Sequence, residues 1–249
     1  ISLIFISLII VFLQLRKTNS QKLIIESSKK QITDNINYAK KIQKTILPED
    51  RLMKEFFSEN FILFKPKDIV GGDFYWYRSF KDIAFIACVD CTGHGVAGGF
   101  MSMMGSLLLD NIVNDEKLTP SQVLGKLNSE IIRVLKQGSG GHIQDGMDLS
   151  LCIIDKKKME LLFSGARNGI YVVADNEVKS YKADMLPAGG SFSKKSREMN
   201  RDFSSQIISI KSNISLTHSI YVSSSKTKRL GFITNVLSVI FFFIKSTSG

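Results

Sequence analysis

The first fifteen residues of the chain, ISLIFISLIIVFLQL, are almost entirely apolar. Their only polar members are two serines and Gln14, and the basic pair Arg16 and Lys17 follows at once. A membrane-spanning helix needs about 20 apolar residues, so we interpret residues 1–15 as part of such a helix. A signal-peptide core is the alternative, but a basic leading region and a small-residue cleavage site are both missing. The basic pair predicts that the following chain is cytoplasmic.

Residues 16–48 show a different pattern, in which apolar residues recur at steps of three and four. This spacing predicts an amphipathic helix, and Pro48 ends it. The apolar positions are Leu23, Ile24, Ile32, Ile36, Ala39, Ile42 and Ile46. Because the apolar stripe is narrow, we favour a signalling helix that pairs with a second chain as a coiled coil. The alternative is a helix that lies on its own domain.

Beyond Pro48 the pattern alternates between strands and helices. Apolar or alternating runs predict strands at residues 59–67, 74–80, 82–90, 148–155, 159–166, 169–175 and 177–184. Helical spacing predicts one helix from Val96 to Asn114 and a second from Pro120 to about Lys136, with Thr119 as its N-cap. Strands, then adjacent helices, then a meander of strands predict an α+β fold with antiparallel pairing.

The composition narrows the function classes. The formal net charge is +10, but the basic residues are spread along the chain and do not alternate with aromatic residues, so we expect no nucleic-acid binding. Cys88, Cys91 and Cys152 lack metal-ligand spacing, and we expect all three to be reduced structural residues.

Two glycine-flanked acids carry the candidate chemistry. Asp73 follows Gly71 and Gly72 in VGGDFYW, and Asp90 ends the predicted strand that opens into VDCTGHG. Carboxylates placed in this way could share hard divalent cations. A single such acid is more often a turn residue that bonds its own backbone, so the prediction depends on the two acids acting together.

His94 lies between Gly93 and Gly95, directly before a predicted helix. The turn should present backbone N–H groups at a helix N-terminus, which suits a phosphate. The imidazole could also act as a general acid or a zinc ligand, but zinc is disfavoured because there is no Cys or His partner at ligand spacing.

Six segments across residues 33–210 form a further pattern: INYAKKIQKTILP, FKPKDIVGGDFYW, VDCTGHGVAGGFMSM, DGMDLSLCIID, LLFSGARNGIYVV and LPAGG. Together, and in this order, they resemble the SpoIIE-like branch of the PPM-type metal-dependent serine/threonine phosphatases, and above all its membrane-anchored bacterial sensor phosphatases. The resemblance implies an α-β-β-α sandwich of two antiparallel sheets flanked by helices, here preceded by a long helix, with the phosphatase domain at residues 49–211.

The resemblance also implies a site with two cations, Mn²⁺ or Mg²⁺. Asp73 matches the first metal-binding acid, Asp90 the acid that bridges both ions, and Cys91 a ligand through its backbone carbonyl. Asp148 matches a branch-specific position, and Asp145 is an equal candidate for an accessory metal. In the implied reaction, a water molecule with a lowered pKa attacks phosphorus directly, without a phosphoenzyme.

Residues 212–249 depart from the family pattern. Ser225 and Lys226 occupy the positions where an Asp-Gly ligand pair is expected, and the chain has no acidic residue after Asp202. We therefore expect impaired metal binding and very low activity. The implied enzyme is a homodimeric phosphatase of the bacterial inner membrane whose substrate is a phosphorylated regulatory protein, such as an anti-sigma-factor antagonist. The alternative is a catalytically inactive phosphatase-like domain that binds a partner or dimerises.

Overall fold

A 44-residue helix, α1 (Ser2–Thr45), precedes the rest of the structure. The structure is a computed structural model that describes residues 2–57, 60, 62, 64, 66, 68–137, 143–174, 177–190, 201–209, 220–223 and 238–243. The predicted membrane segment and the predicted linker helix are continuous within α1. This helix is long and apolar enough to cross a membrane, and none of its apolar window is buried.

The remaining helices are α2 (Asp50–Phe56), α3 (Gly95–Ile112) and α4 (Pro120–Val134). Thr119 caps α4 as predicted: its side chain accepts a hydrogen bond from the backbone N–H of Gln122, and the Gln122 side chain accepts one from the backbone N–H of Thr119. This reciprocal capping box, followed by Pro120 at the first helical position, fixes where α4 begins.

The strands form two sheets, and their bounds are β1 (Phe74–Phe80), β2 (Ile83–Cys91), β3 (Gly146–Asp155), β4 (Glu160–Ala166), β5 (Ile170–Ala174), β6 (Glu177–Tyr181), β7 (Ala188–Gly189), β8 (Gln206–Ser209), β9 (Ile220–Ser223) and β10 (Ser238–Phe243). The first sheet has the order β1-β2-β3-β4-β8, with β7 also paired to β3, and the second has the order β6-β5-β10-β9. All pairs are antiparallel except β9 with β10, which is parallel.

The first sheet is buried on both faces, which explains its near-continuous apolar strands. On β1, Phe74 and Trp76 pack with α3 and α4 on one face, whereas Tyr75 and Tyr77 pack with α2 and Ile170 of β5 on the other. The α+β architecture of two sheets with flanking helices is therefore confirmed. Cys88, Cys91 and Cys152 are free and buried, as predicted.

Some predictions concern residues that the structure describes only in part or not at all. The predicted strand at residues 59–67 falls largely outside the described residues. The domain boundary at residue 211 stays a prediction. Beyond it, β10 pairs with β5 and β9 pairs with β10, so two short pieces of the tail join the second sheet.

Candidate active site

Two aspartates meet at one end of the first sheet. In the antiparallel register of β1 and β2, Phe74 lies opposite Val89. Asp73, one residue before Phe74, and Asp90, one residue after Val89, are therefore brought to the same end of the strand pair. Their carboxyl groups are in hydrogen-bonding contact. The structure thus places side by side the two acids that the sequence singled out.

The environment of this pair disfavours two negative charges. The pKa of Asp90 is raised to about 8. Burial is the largest cause, followed by the charge of Asp73, the hydrogen bond with Asp73 and the charge of Asp148. Burial also raises the pKa of Asp73, partly offset by the hydrogen bond from Asp90. The Oδ2 atom of Asp90 is buried without a hydrogen-bond partner among the described residues. Because a buried oxygen without a hydrogen bond is energetically unfavourable, this atom is suited to coordinate a cation.

Small residues bring the surrounding backbone close to the pair. A Cβ atom on Gly72 would lie 3.0 Å from the carbonyl oxygens of both Cys91 and Gly93. A Cβ atom on Gly98, in the first turn of α3, would lie 2.8 Å from the backbone nitrogen of Gly72. Larger side chains at either position would push apart the loop before Asp73, the end of β2 and the start of α3.

Two more acids, Asp145 and Asp148, lie near the Asp73–Asp90 pair. The pKa of the Cys91 thiol is raised by burial first, and then by the charges of Asp90, Asp73, Asp145 and Asp148. Asp148 lies directly opposite Asp90 in the register of β2 and β3, and its Oδ1 atom lies 3.6 Å from Nη1 of Arg167. Within the described residues, no three His, Cys, Asp or Glu side chains converge closely enough to hold a metal ion.

The predicted phosphate-binding turn lies at the N-terminus of α3. Gly93 and Gly95 have φ angles of 93° and 62°, a left-handed backbone that glycine adopts without strain. His94 is the N-cap residue, with extended backbone and no capping hydrogen bond from its side chain. Its imidazole is 87% exposed, with Nδ1 3.5 Å from a carboxylate oxygen of Asp68. The imidazole is therefore on the outer surface, and the phosphate-binding role of this turn stays a prediction.

Sequence reasoning missed Gln43, which joins α1 to the loop before Asp73. The Gln43 carboxamide donates to the carbonyl oxygen of Gly71 and to Oγ of Ser102 in α3 at 2.7 Å. It also accepts from the backbone N–H of Gly71 at 3.2 Å. Only the match of INYAKKIQKTILP to the family pointed to this segment, and nothing in that match singled out Gln43.

Two further amides on α4 and just after it hold the LPAGG segment, and sequence reasoning missed these as well. Asn128 accepts a hydrogen bond from the backbone N–H of Gly189 at 2.9 Å. Gln137 accepts one from the N–H of Gly190 at 3.0 Å and donates to the carbonyl oxygen of Asp145 at 2.6 Å. These contacts fix the backbone on the Asp145 side of the site.

Comparison with known proteins identifies the family. The fold resembles that of the SiaA-PP2C domain of Pseudomonas aeruginosa, with a TM-score of 0.64 and 31% sequence identity, over 74% of this chain and 69% of that chain. The family model for stage II sporulation protein E (SpoIIE) matches residues 82–199. This chain belongs to the SpoIIE-like branch of the PPM-type (PP2C) phosphatases.

Other PP2C-type structures are less similar to this SpoIIE-like chain. The PP2C phosphatase domain of SpoIIE from Bacillus subtilis, solved with a fragment of its regulatory domain, shows 20% identity and a TM-score of 0.43, over 57% of this chain and 38% of that chain. The RsbU and RsbW domains of Rv1364c from Mycobacterium tuberculosis show 16% identity and a TM-score of 0.46, over 61% of this chain and 39% of that chain. No sequence among curated proteins matches significantly.

The recognition made from the six sequence segments is therefore confirmed at the level of the family and the fold. The roles of Asp73, Asp90, Cys91, Asp148, Gly93, His94 and Gly95 stay predictions. The structure adds that the first four of these residues cluster at one end of the sheet, and that the His94 side chain is exposed beside Asp68.

Proposed function

We propose that this SpoIIE-like chain is a phosphoserine/phosphothreonine protein phosphatase domain of a bacterial signalling pathway, which depends on two divalent cations, Mn²⁺ or Mg²⁺. The observation that carries the proposal is the contact between the Asp73 and Asp90 carboxyl groups, with one buried Asp90 oxygen lacking a hydrogen-bond partner among the described residues. Protein folds rarely tolerate such a pair unless a proton or a cation compensates for it.

The chemistry of the donor atoms at the Asp73–Asp90 pair suits a divalent cation, although no third acidic side chain converges on it among the described residues. Asp73, Asp90 and the backbone carbonyl of Cys91 offer only oxygen atoms, the ligands that Mg²⁺ and Mn²⁺ prefer. Asp145 or Asp148 would supply an accessory ligand. Divalent cations bound there would lower the pKa of a water molecule and offset negative charge on the phosphoryl oxygens. On binding, the proton shared by Asp73 and Asp90 must leave.

The chain itself supplies the position of the reacting group. β2 fixes Asp90, and Gly72 and Gly98 let the surrounding backbone segments approach one another closely. Backbone N–H groups at the start of α3 would orient the phosphate at the positive end of the helix dipole. Asp90, once deprotonated, would hold the attacking water in place by accepting its hydrogen bond.

We propose that activity is strongly reduced, because Ser225 and Lys226 replace the expected Asp-Gly pair. Both residues lie outside the described residues, just beyond β9. A lysine beside a cation site opposes binding by charge repulsion, and the lost carboxylate removes a ligand.

The long helix provides the signalling part of the proposal. The apolar start of α1 is a candidate anchor in the bacterial inner membrane, with the phosphatase domain in the cytoplasm. Leu23, Ile24 and Ile32 are exposed along α1, and we propose that they pair with the same helix of a second copy. At the other end, Gln43 holds Gly71, two residues before Asp73, so a shift of α1 would move the cation site.

The proposed substrate is a phosphorylated regulatory protein, such as an anti-sigma-factor antagonist. A second candidate function is a phosphatase-like module that binds its partner or dimerises without turnover. The replacement of the Asp-Gly pair at residues 225–226 favours this alternative.

The two functions can be separated by restoring the missing ligand. The full chain in detergent would carry Ser225→Asp with Lys226→Gly, and its Mn²⁺ affinity and manganese-dependent hydrolysis of p-nitrophenyl phosphate would be measured. We expect tighter Mn²⁺ binding and a clear gain in hydrolysis. A control pair, Lys245→Gly with Ser246→Asp, changes the net charge equally and should gain neither. If the restored chain stays inert with excess Mn²⁺, the binding module is the better description.

A further inference from the structure

An arginine borders the carboxylate cluster at a position to which the sequence assigned no role. Arg167 follows β4, and its Nη1 atom lies 3.6 Å from Oδ1 of Asp148. Asp148 is in turn the direct cross-strand partner of Asp90. A permanent positive charge thus lies next to the proposed reaction site.

The backbone holds this arginine in place from several sides. Its φ angle is 60°, a left-handed conformation that costs energy for a residue other than glycine. Its backbone N–H donates to the carbonyl oxygen of Asp184 at 2.7 Å. The buried Ser150 hydroxyl also bonds the carbonyl oxygens of Asn168 and Gly169, at 2.9 and 3.1 Å. The turn therefore fixes the backbone position from which the Arg167 side chain extends.

The two partners of the ion pair differ in exposure. The Arg167 side chain is 43% exposed, whereas that of Asp148 is only 14% exposed. A guanidinium carries five N–H donors in a planar arrangement that matches a phosphate. Among the described residues, the side-chain contact of Arg167 is the ion pair with Asp148 at 3.6 Å, which engages one end of the guanidinium. The Asp148 carboxylate is thus the less exposed partner that supports the guanidinium, and the guanidinium is the part that an incoming anion can reach.

We propose that Arg167 binds the phosphate group of the substrate, and that Asp148 positions this guanidinium instead of serving as a metal ligand. The inference rests on the proposed function, because it requires a phosphate monoester to enter the cleft beside Asp73 and Asp90. It replaces the accessory-ligand role that the resemblance suggested for Asp148, and it leaves Asp145 as the candidate for that role.

The proposal has two consequences of opposite sign. Removing the guanidinium takes away a charged donor for phosphate, so phosphate affinity should fall. It also takes away a positive charge near Asp148 and Asp90, so cation affinity should rise. A purely structural role would instead weaken both kinds of binding, because the site would lose its shape.

The test uses the full chain in detergent, with isothermal titration of Mn²⁺ alone, and of inorganic phosphate and a phosphoserine peptide in the presence of Mn²⁺. Arg167→Met keeps an unbranched side chain but removes the charge, whereas Arg167→Lys keeps the charge but lacks the planar set of N–H donors. Arg133→Met is the matched control, because Arg133 is an exposed arginine paired with Glu130 on α4.

We expect Arg167→Met to weaken phosphate and phosphopeptide binding by about tenfold, the scale of one charged hydrogen bond, while Mn²⁺ affinity rises severalfold. Arg167→Lys should recover part of the phosphate affinity, and the control should match wild type. The proposal is overturned if Arg167→Met binds phosphate as wild type does, or if Mn²⁺ and phosphate affinity fall together with the thermal stability.

The failure of this inference is distinguishable from the failure of the proposed function. If wild type binds Mn²⁺ and phosphate but Arg167→Met behaves identically, only the role of Arg167 is wrong. If neither wild type nor the chain restored with Ser225→Asp and Lys226→Gly binds Mn²⁺ or phosphate, the two-cation function and the role of Arg167 are both wrong. If only the restored chain binds them, the Arg167 variants are compared in that background.

Discussion

Replacing Asp90 with asparagine should stabilise the metal-free protein, and more so as the pH rises. The pKa of Asp90 is raised from 3.8 to about 8. In the unfolded chain the carboxyl group releases its proton near its ordinary value, whereas the folded protein retains it up to about pH 8. Its contribution to stability is therefore fully present at low pH and is lost as the pH rises through this window.

The magnitude follows from the same values. Between about pH 5 and about pH 8, only the folded state retains the proton. The free energy of unfolding of wild type therefore falls by about 1.4 kcal/mol per pH unit, or about 4 kcal/mol in all. Because Asp90 is only half-buried, water screens its charge in part, so we expect about 2–4 kcal/mol. The asparagine side chain of the variant would resemble the protonated acid, since its amide can donate to Asp73, and the variant should lack this pH dependence.

The assay is urea unfolding of the full chain in detergent at about pH 5 and about pH 8, chosen to bracket most of the titration. Trp76 is the only tryptophan; it is buried, and its Nε1 donates to Asp110 at 3.0 Å, so its fluorescence reports unfolding of the domain. Mn²⁺ should stabilise wild type at the higher pH through linked binding and leave Asp90→Asn unchanged. Asp34→Asn, an exposed change on α1, is the control for lost charge.

One result would refute this reasoning. If wild type and Asp90→Asn lose the same free energy of unfolding between the two pH values, the Asp73–Asp90 pair does not share a retained proton. The case for a cation site at this pair would then lose its main physical support.

Two further predictions follow from contacts around the site and the core. Gln43→Ala removes the hydrogen bonds that α1 makes to Gly71 and Ser102, and should weaken Mn²⁺ affinity severalfold in a calorimetric titration. The control Gln31→Ala, an exposed change on α1, should leave the affinity unchanged. Equal affinities of the two variants would argue against coupling through Gln43. Thr119→Ala removes the N-cap of α4 and should lower the free energy of unfolding, measured by urea unfolding, by about 1 kcal/mol. The control Thr33→Ala, on the exposed part of α1, should change this free energy by less than about 0.5 kcal/mol. An equal loss in both variants would contradict the role of the cap.

Strand and helix positions could be predicted well because they depend on local periodicity. The apolar run at residues 82–90 and the Thr119-Pro120 start of α4 both lie where the pattern placed them. The pairing of Asp73 with Asp90 was also predictable, because two strand-end acids flanked by glycines matched a known family in register. Family membership was reached in the same way, from six short segments in a fixed order.

Other parts of the site were beyond the reach of the sequence. Gln43 and Gly71 are 28 residues apart, and Ser102 is a further 31 residues along the chain, so their contact exists only once α1 packs beside α3. The exposed position of the His94 imidazole beside Asp68 depended in the same way on how the loop before Asp73 folds.

The sequence by itself determined the elements, the family and the two central acids of this protein, because periodicity, capping and strand-end motifs are encoded by near neighbours. Tertiary structure alone decided which charges meet: it set Arg167 against Asp148, raised the pKa of Asp90 and tied the long helix to the loop before Asp73. Electrostatic interactions and desolvation depend on distance and burial in space, and these quantities are set by the packing of segments that lie far apart in the chain.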